Sequence, residues 1–115
     1  MKMAVGVDIE DIERFKGKSE AFLNRIFTEK ERQYCSSKSK STEHYAVRFC
    51  AKEAVIKALN SMGIHQPEFK EIEIYNNENG CPFVKLPKKY ENFQVDVSLS
   101  HDKTKAIAFV VINKK

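Results

Sequence analysis

The feature that most constrains the fold is a helical segment in the middle of the chain. Residues 48–59 contain neither proline nor glycine, and their Ala, Leu, Lys and Glu residues favour an α-helix. On a helical wheel the large and the small apolar side chains form two stripes on opposite sides: Tyr45, Phe49, Ile56 and Leu59 in one, and Ala46, Cys50, Ala54 and Ala58 in the other. A helix that is apolar on two sides is usually buried on two sides, so we expect both stripes to be covered.

The same helix carries four charged side chains beside its apolar stripes. Glu53 and Lys57 lie one turn apart in the seam between the stripes, and Arg48 and Lys52 border the larger stripe. Burial of such groups is costly unless they are paired or bind a cation, so one interpretation is an ionic binding site. The alternative is a solvated helix face, where the Glu53–Lys57 pair contributes only about 0.2–0.5 kcal/mol. This segment alone leaves both interpretations open.

Length and composition indicate one small domain, residues 1–115. The hydrophobic content of 42% and the charged content of 31% are ordinary for a soluble protein. A chain of this length buries only about two-thirds of its unfolded surface, so subunit association would be a natural way to add burial. The apolar run in residues 1–9 is too short for a signal peptide, and no segment is long enough to span a membrane.

The three cysteines give information about the compartment. Cys35, Cys50 and Cys81 are widely spaced and form no Cys-x-x-Cys pair, which argues against a disulfide framework and against a zinc site. Unpaired cysteines suit a reducing compartment, so we expect a cytoplasmic protein with no membrane partner.

Basic residues are concentrated in the first and last thirds of the chain, which has a net charge of +4. A basic surface suggests an anionic partner, such as nucleic acid, a phosphorylated cofactor or an acidic protein. The alternative is that the lysines only provide solubility.

Helices are predicted mainly in the first half of the chain. Residues 4–9 form a short strand, and a turn or two of helix is expected to begin just after Asp8. Ser19 is suited to cap a second helix, and Thr28 with Glu31 has the spacing of a capping box for a third. A polar Ser/Lys loop follows, and Thr42 is predicted to cap the long helix, which ends between residues 60 and 63.

Strands are predicted in the second half. Residues 71–75 alternate in polarity, Asn79-Gly80 is a tight-turn signal, and Pro82 limits the return strand to an edge position or to a proline near its start. Further segments are a helical turn at 87–93, strands at 95–99 and 106–112, and a turn at 101–103. The sequence therefore predicts an α+β fold with helices packed on an antiparallel sheet.

Two acidic residues are candidates for cation binding. Asp8 lies near the end of a strand, and Glu53 lies on a helix with buried character. Mg²⁺ prefers oxygen ligands and is commonly held by one or two carboxylates together with substrate phosphates, for which Lys57 and Arg48 are suitable partners. His44, His65 and His101 are too far apart in the sequence to suggest a zinc cluster, and no glycine-rich phosphate loop is present.

Three sequence blocks resemble those of a known family. They are residues 5–9 with 12–15 (Val-Gly-Val-Asp-Ile and Ile-Glu-Arg-Phe), residues 48–54 with Lys57-Ala58 (Arg-Phe-Cys-Ala-Lys-Glu-Ala), and residues 97–102 (Val-Ser-Leu-Ser-His-Asp). The linking segments 22–28, 72–74 and 79–82 fit as well. In this order and spacing the chain resembles, over nearly its whole length, the bacterial holo-acyl-carrier-protein synthases, the small type of 4′-phosphopantetheinyl transferase.

The resemblance implies a reaction. Enzymes of this family move the 4′-phosphopantetheine group of coenzyme A onto a serine of an apo acyl carrier protein and release 3′,5′-ADP, a step that serves fatty acid biosynthesis. By resemblance, Asp8 and Glu53 hold Mg²⁺ on the pyrophosphate of coenzyme A, which assists in-line attack at phosphorus. The base that accepts the serine proton is either a carboxylate or a water molecule on the metal.

The resemblance also implies roles for further residues. Lys57, with Asp8 and Glu53, belongs to the implied catalytic set and contacts the phosphates, while Arg48 and His101 help to hold the nucleotide. For His101 the alternative is a turn residue that merely precedes Asp102.

The resemblance further implies a docking region and an assembly. Arg14, Phe22 and Arg25 match the region that docks the acidic carrier protein, in which charge pairs mainly set encounter rate and orientation. Lys16 and Lys18 are interpreted as a solvated face. The small members of the family are homotrimers with active sites at subunit boundaries, so we expect the 4′-phosphopantetheinyl transferase fold assembled as a trimer.

Two other functions remain as alternatives. A nucleic-acid-binding module would interleave basic residues with exposed aromatic residues on one sheet face, but Tyr75, Phe83 and Phe109 show no such pattern, so no nucleic acid partner is expected. A metal-dependent phosphohydrolase could use the same Asp8 and Glu53. The docking arginines favour the transferase.

Overall fold

The computed structural model describes residues 3–115 and has the predicted α+β architecture. The main elements are, in chain order, β1 (Met3–Asp11), α1 (Glu20–Ile26), α2 (Glu29–Ser36), α3 (Ser41–Ser61), β2 (Glu73–Asn76), β3 (Pro82–Lys85), β4 (Phe93–His101) and β5 (Lys105–Lys114). Single 3₁₀ turns occupy Ile12–Phe15, Phe69–Glu71 and Lys88–Tyr90. Within residues 3–115 no helix has the length and apolar character needed to cross a membrane.

A three-stranded antiparallel sheet covers one side of α3. Its strand order is β1-β5-β4, so β5 is central. The small stripe of α3 packs against this sheet: the Cys50 thiol lies 3.0 Å from the carbonyl oxygen of Asp8 and 3.5 Å from that of Ala106. At Gly6 the approach of α3 is so close that a β-carbon would lie 1.9 Å from the carbonyl oxygen of Ala54.

The other side of α3 is covered by α2, β2 and the 3₁₀ turns Ile12–Phe15 and Phe69–Glu71, and α1 packs on α2. Phe27, Cys35, Ile72 and Ile74 are buried in this second layer of the core. Both sides of α3 are therefore covered within one chain, as the two apolar stripes predicted, although Phe49 and Ile56 of the large stripe are only half-buried.

The charged residues of α3 do not form a solvated face. Arg48 and Lys52 are buried, Glu53 is half-buried and only Lys57 is exposed. The Lys52 ammonium lies 2.7 Å from the Glu31 carboxylate and donates to the carbonyl oxygens of Phe69 and Ile72. The surface interpretation is wrong for this helix, and Lys52 holds the two layers together.

Local capping signals are confirmed where they are strongest. The Ser19 hydroxyl accepts a hydrogen bond from the amide of Phe22, and Thr28 with Glu31 forms a complete capping box. Pro82 is the first residue of β3.

Two boundary predictions are wrong. The strand does not give way to a helix after Asp8, because β1 continues to Asp11, which pairs with Lys105 of β5. Thr42 does not cap α3, which begins at Ser41 with Lys40 at the N-cap position and no side-chain cap.

Candidate active site

The structure brings Asp8, Glu53 and Lys57 together between β1 and α3. Asp8 is on the side of β1 that faces the helix, two residues after Gly6. Because Gly6 has no side chain, α3 packs directly on the strand. Glu53 and Lys57 of the helix therefore lie beside Asp8. The Lys57 ammonium donates to Asp8 Oδ1 at 3.1 Å and to the carbonyl oxygen of Val7 at 3.1 Å.

A third carboxylate, Glu10, completes the cluster. One oxygen from each of Asp8, Glu10 and Glu53 lies within 4.8 Å of the others. Sequence reasoning missed Glu10 because it ended the strand at Ile9. The signal was present in the alternation of β1, since residues two apart share a face and Glu10 therefore lies on the same side as Asp8.

Burial and mutual repulsion alter the acidity of these groups. Burial has the largest effect on Glu10, and the neighbouring Asp8 carboxylate adds to it. Together they raise the pKa of Glu10 to about 7. Burial and the nearby charge of Asp8 also raise the pKa of Glu53 above its ordinary value. A cation among the carboxylates would favour their ionised forms and oppose both shifts.

The donor set fits a hard divalent cation. All three side chains offer carboxylate oxygens, the ligands that Mg²⁺ prefers. Asp8 is only 8% exposed, and its Oδ2 is buried with no hydrogen-bond partner among residues 3–115. A buried carboxylate oxygen without a partner is costly unless a cation or another donor reaches it.

Arg48 and His101 lie together in a separate cavity of about 590 Å³, lined also by Tyr34, Asn76 and Pro82. The Arg48 guanidinium lies 4.2 Å from the centre of the Tyr34 ring and donates to the Asn76 side chain. His101 Nδ1 lies 3.3 Å from a carboxylate oxygen of Glu43, and its side chain remains exposed. Neither Lys57 nor any of the three carboxylates lines this cavity. The cavity lies against β4, whereas the carboxylate cluster lies against β1 at the opposite edge of the sheet.

The predicted docking residues Arg14, Phe22 and Arg25, which we call the docking surface, lie around the buried ring of Phe15. The Arg14 guanidinium lies 5.7 Å from the centre of the Phe15 ring, and the Phe15 and Phe22 rings are 6.5 Å apart. The Arg25 guanidinium lies 6.0 Å from the centre of the Phe22 ring. Arg14 also forms an ion pair with Glu10, so the docking surface adjoins the carboxylate cluster.

Comparison with known proteins identifies the family. The sequence profile of the 4′-phosphopantetheinyl transferase superfamily matches residues 4–110. The chain therefore belongs to this superfamily, and the resemblance drawn from the three sequence blocks is confirmed.

Individual relatives agree along the whole chain. The holo-[acyl-carrier-protein] synthase of Thermodesulfovibrio yellowstonii is 46% identical over 113 residues, covering 94% of this chain and 96% of its own. A crystal structure of the holo-(acyl-carrier-protein) synthase from Bacillus anthracis, in complex with CoA (3′,5′-ADP), has a TM-score of 0.86 at 32% identity and full coverage of both chains. The Helicobacter pylori enzyme in complex with coenzyme A has a TM-score of 0.77 at 33% identity, covering 95% of this chain and 99% of its own.

Proposed function

We propose that the chain transfers the 4′-phosphopantetheine group of coenzyme A to a serine of an apo acyl carrier protein and releases 3′,5′-ADP, in fatty acid biosynthesis. The observation that carries the proposal is the carboxylate cluster of Asp8, Glu10 and Glu53 in a chain of this superfamily. The entire chain, residues 1–115, would act as one domain. A cytoplasmic location suits this function.

Asp8 and Glu53 would hold Mg²⁺, with Glu10 within reach of the same position. When bound, the cation would neutralise the charge that develops on the phosphate oxygens during transfer. Lys57, which donates to Asp8 Oδ1, would add a positive charge beside Asp8 and bind a phosphate oxygen of coenzyme A. The catalytic set is thus Asp8, Glu53 and Lys57.

Arg48 and His101 would bind the nucleotide end of coenzyme A. Both line the cavity of about 590 Å³ between α3 and β4. Arg48 is buried, and its Nε has no hydrogen-bond partner within residues 3–115, so it can take an anionic oxygen of the ligand. A bound phosphate would also compete with Glu43 for His101.

Product analysis separates the transferase from a phosphohydrolase that uses the same acids. The protein is incubated with coenzyme A and Mg²⁺, with and without an apo carrier protein, and 3′,5′-ADP is measured by chromatography. The proposal predicts that 3′,5′-ADP is released only when the carrier is present, and that a carrier whose acceptor serine is replaced by alanine does not support it. Equal release without any carrier would identify a hydrolase.

The docking surface supports an acidic, helical partner. Its two exposed arginines and the half-buried ring of Phe22 offer charge for orientation and apolar area for affinity. Arg14, Phe22 and Arg25 would therefore bind the carrier protein.

Replacing Arg14 by alanine is expected to weaken binding of the carrier protein and to leave binding of coenzyme A unchanged. An exposed charge at an interface contributes modestly, so the expected increase in the carrier's Kd is about 5-fold to 30-fold, from the loss of roughly 1–2 kcal/mol. Titration calorimetry with each ligand separately measures both. Lys30→Ala, another exposed cation in the first third of the chain, is the matched control. A loss confined to coenzyme A binding would place Arg14 in the wrong site.

The outer face of the main sheet supports a homotrimer. The side chains of β1 and β5 that point away from α3 form an exposed apolar patch: Met3, Val5, Val7, Ile9, Ile107 and Phe109. Contiguous apolar patches of this kind usually mark an interface. Phe49 and Ile56 of α3 are half-buried, whereas the patch on β1 and β5 is exposed, so the patch would be the main contact between subunits.

Replacing Phe109 by glutamate is expected to dissociate the trimer. Phe109 is 47% exposed in the patch, and a charge at that position would be buried by association. Phe83, which is 42% exposed on the β2–β3 hairpin, provides the matched control Phe83→Glu. Sedimentation velocity should give three times the chain mass of 13.3 kDa for the wild type and for the control, and a smaller species for Phe109→Glu. A monomeric wild type would refute the trimer.

A further inference from the structure

The ion pair between Glu10 and Arg14 connects the carboxylate cluster with the docking surface. One carboxylate oxygen of Glu10 pairs with the Arg14 guanidinium. Glu10 also belongs to the cluster of three carboxylates. Glu10 is buried, whereas Arg14 is 55% exposed and lies against the rings of Phe15 and Phe49. Arg14 is therefore shared between the interior of the site and the surface.

The charges of the cluster determine how a cation would affect Arg14. When all groups are ionised, three carboxylates face two cationic side chains, Lys57 and Arg14, which leaves an excess of one negative charge. A divalent cation reverses the sign of that excess. The cluster by itself would thus repel an acidic partner at Arg14 when the site is empty and attract it when the site is filled.

The buried environment of Asp8 supports cation binding at this position independently of the cluster. Asp8 Oδ1 has Lys57 as a partner, but Oδ2 is buried and has none within the described part of the chain. A cation there would also draw on Glu10, since a Glu10 oxygen lies within 4.8 Å of one from Asp8. The attraction of Glu10 for Arg14 would then weaken, because the same carboxylate would be shared with a doubly charged ion.

We propose that Glu10 is a positioning residue that couples cation binding to docking of the acidic carrier protein. Without the cation, Glu10 holds Arg14; with the cation, Arg14 becomes available to a carboxylate of the partner. Cation and carrier protein therefore bind with positive cooperativity, and by linkage each raises the affinity for the other by the same factor. This inference rests on the proposed function, because it takes the partner to be an acidic carrier protein.

The test measures binding alone, with no coenzyme A and no turnover. The Kd of a fluorescently labelled apo carrier protein is measured by anisotropy with and without saturating Mn²⁺, and the Kd of Mn²⁺ is measured by electron paramagnetic resonance with and without the carrier. For the wild type we expect each ligand to tighten the other by about 5-fold or more, the lower end of usual coupling. The factor by which Mn²⁺ tightens carrier binding should equal the factor by which the carrier tightens Mn²⁺ binding. This equality excludes an effect of Mn²⁺ on the carrier alone.

Two variants localise the coupling. Glu10→Gln should bind the carrier without cation nearly as tightly as the loaded wild type, and its coupling factor should fall below about 2-fold. Glu13→Gln removes an exposed acid from the same segment and should retain the wild-type factor. Thermal melting of both variants checks that they are folded, and a loss of structure alone would weaken carrier binding instead of strengthening it.

The outcomes separate this inference from the proposed function. A wild type that binds both ligands with a coupling factor of one overturns the role of Glu10 and leaves the transferase proposal standing. The role of Glu10 is equally overturned if Glu10→Gln keeps the wild-type factor. A wild type that binds neither Mn²⁺ nor the carrier refutes the proposed function, and the coupling with it.

Discussion

Asp8→Ala and Glu53→Ala are each expected to abolish transfer while the protein remains folded. Each substitution removes a carboxylate from the only position where β1 and α3 bring three of them together among the described residues. A bound metal supplies several kcal/mol of charge stabilisation in such transfers, which corresponds to a loss of roughly 1,000-fold or more in kcat/KM. The rate is measured from the increase in mass of the carrier protein.

Stability should change little in these variants, because removing one of several mutually repelling carboxylates relieves a cost. Lys57 loses its partner in Asp8→Ala, but Lys57 is exposed and can be solvated. Glu13→Ala, an exposed acid outside the cluster, is the matched control and should transfer at the wild-type rate. Near-normal rates in both Asp8→Ala and Glu53→Ala, with Mn²⁺ binding retained, would refute the metal assignment.

Of the substitutions proposed for this protein, Lys52→Met is expected to lower the free energy of unfolding the most. Lys52 is fully buried and lies 2.7 Å from Glu31, which is itself nearly inaccessible. Burial lowers the pKa of Lys52, and the Glu31 charge opposes that shift. Removal of one partner leaves the other charge buried, which costs about 3–5 kcal/mol of the free energy of unfolding. Urea denaturation measures the loss.

A double substitution distinguishes an uncompensated charge from lost packing. In Lys52→Met with Glu31→Gln neither position of the pair carries a charge, so the double variant should lose less stability than the two single variants together. Lys30→Met is the control at an exposed lysine. A loss for Lys52→Met below about 1 kcal/mol, the value of an exposed pair, would mean that this ion pair does not hold the layers together.

Local signals predicted the parts of the fold that depend on neighbouring residues. Ser19 and the Thr28–Glu31 box cap helices through contacts only three residues apart, and the sequence contains all the information required. The two apolar stripes of α3 predicted burial on both sides for the same reason, since helical periodicity is local.

Elements that depend on distant partners were not predictable. β1 extends to Asp11 because it pairs with β5, nearly a hundred residues later, and without that extension Glu10 was placed outside the strand and was missed. Lys52 was grouped with the other charges of α3, because nothing near it in the sequence shows that Glu31 is its partner. Arg48 and His101 line the same cavity because α3 packs on β4.

The proximity of Asp8 and Glu53 was expected, but the reason for it is structural. The strand and the helix approach each other closely because Gly6 lacks a side chain, a contact that no residue spacing reveals. The pairing of Arg14 with Glu10 was likewise unforeseen, and it links the cluster to the docking surface.

The measurement that tests the central claim most directly is intact mass spectrometry of an apo acyl carrier protein incubated with this protein, coenzyme A and Mg²⁺. We expect the carrier to gain the mass of one phosphopantetheine group, and we expect the gain to disappear when the metal is chelated. No gain with several folded carrier proteins, in the presence of folded enzyme, would contradict the transferase function. A gain that persists after complete chelation would contradict the role of the cation at Asp8 and Glu53.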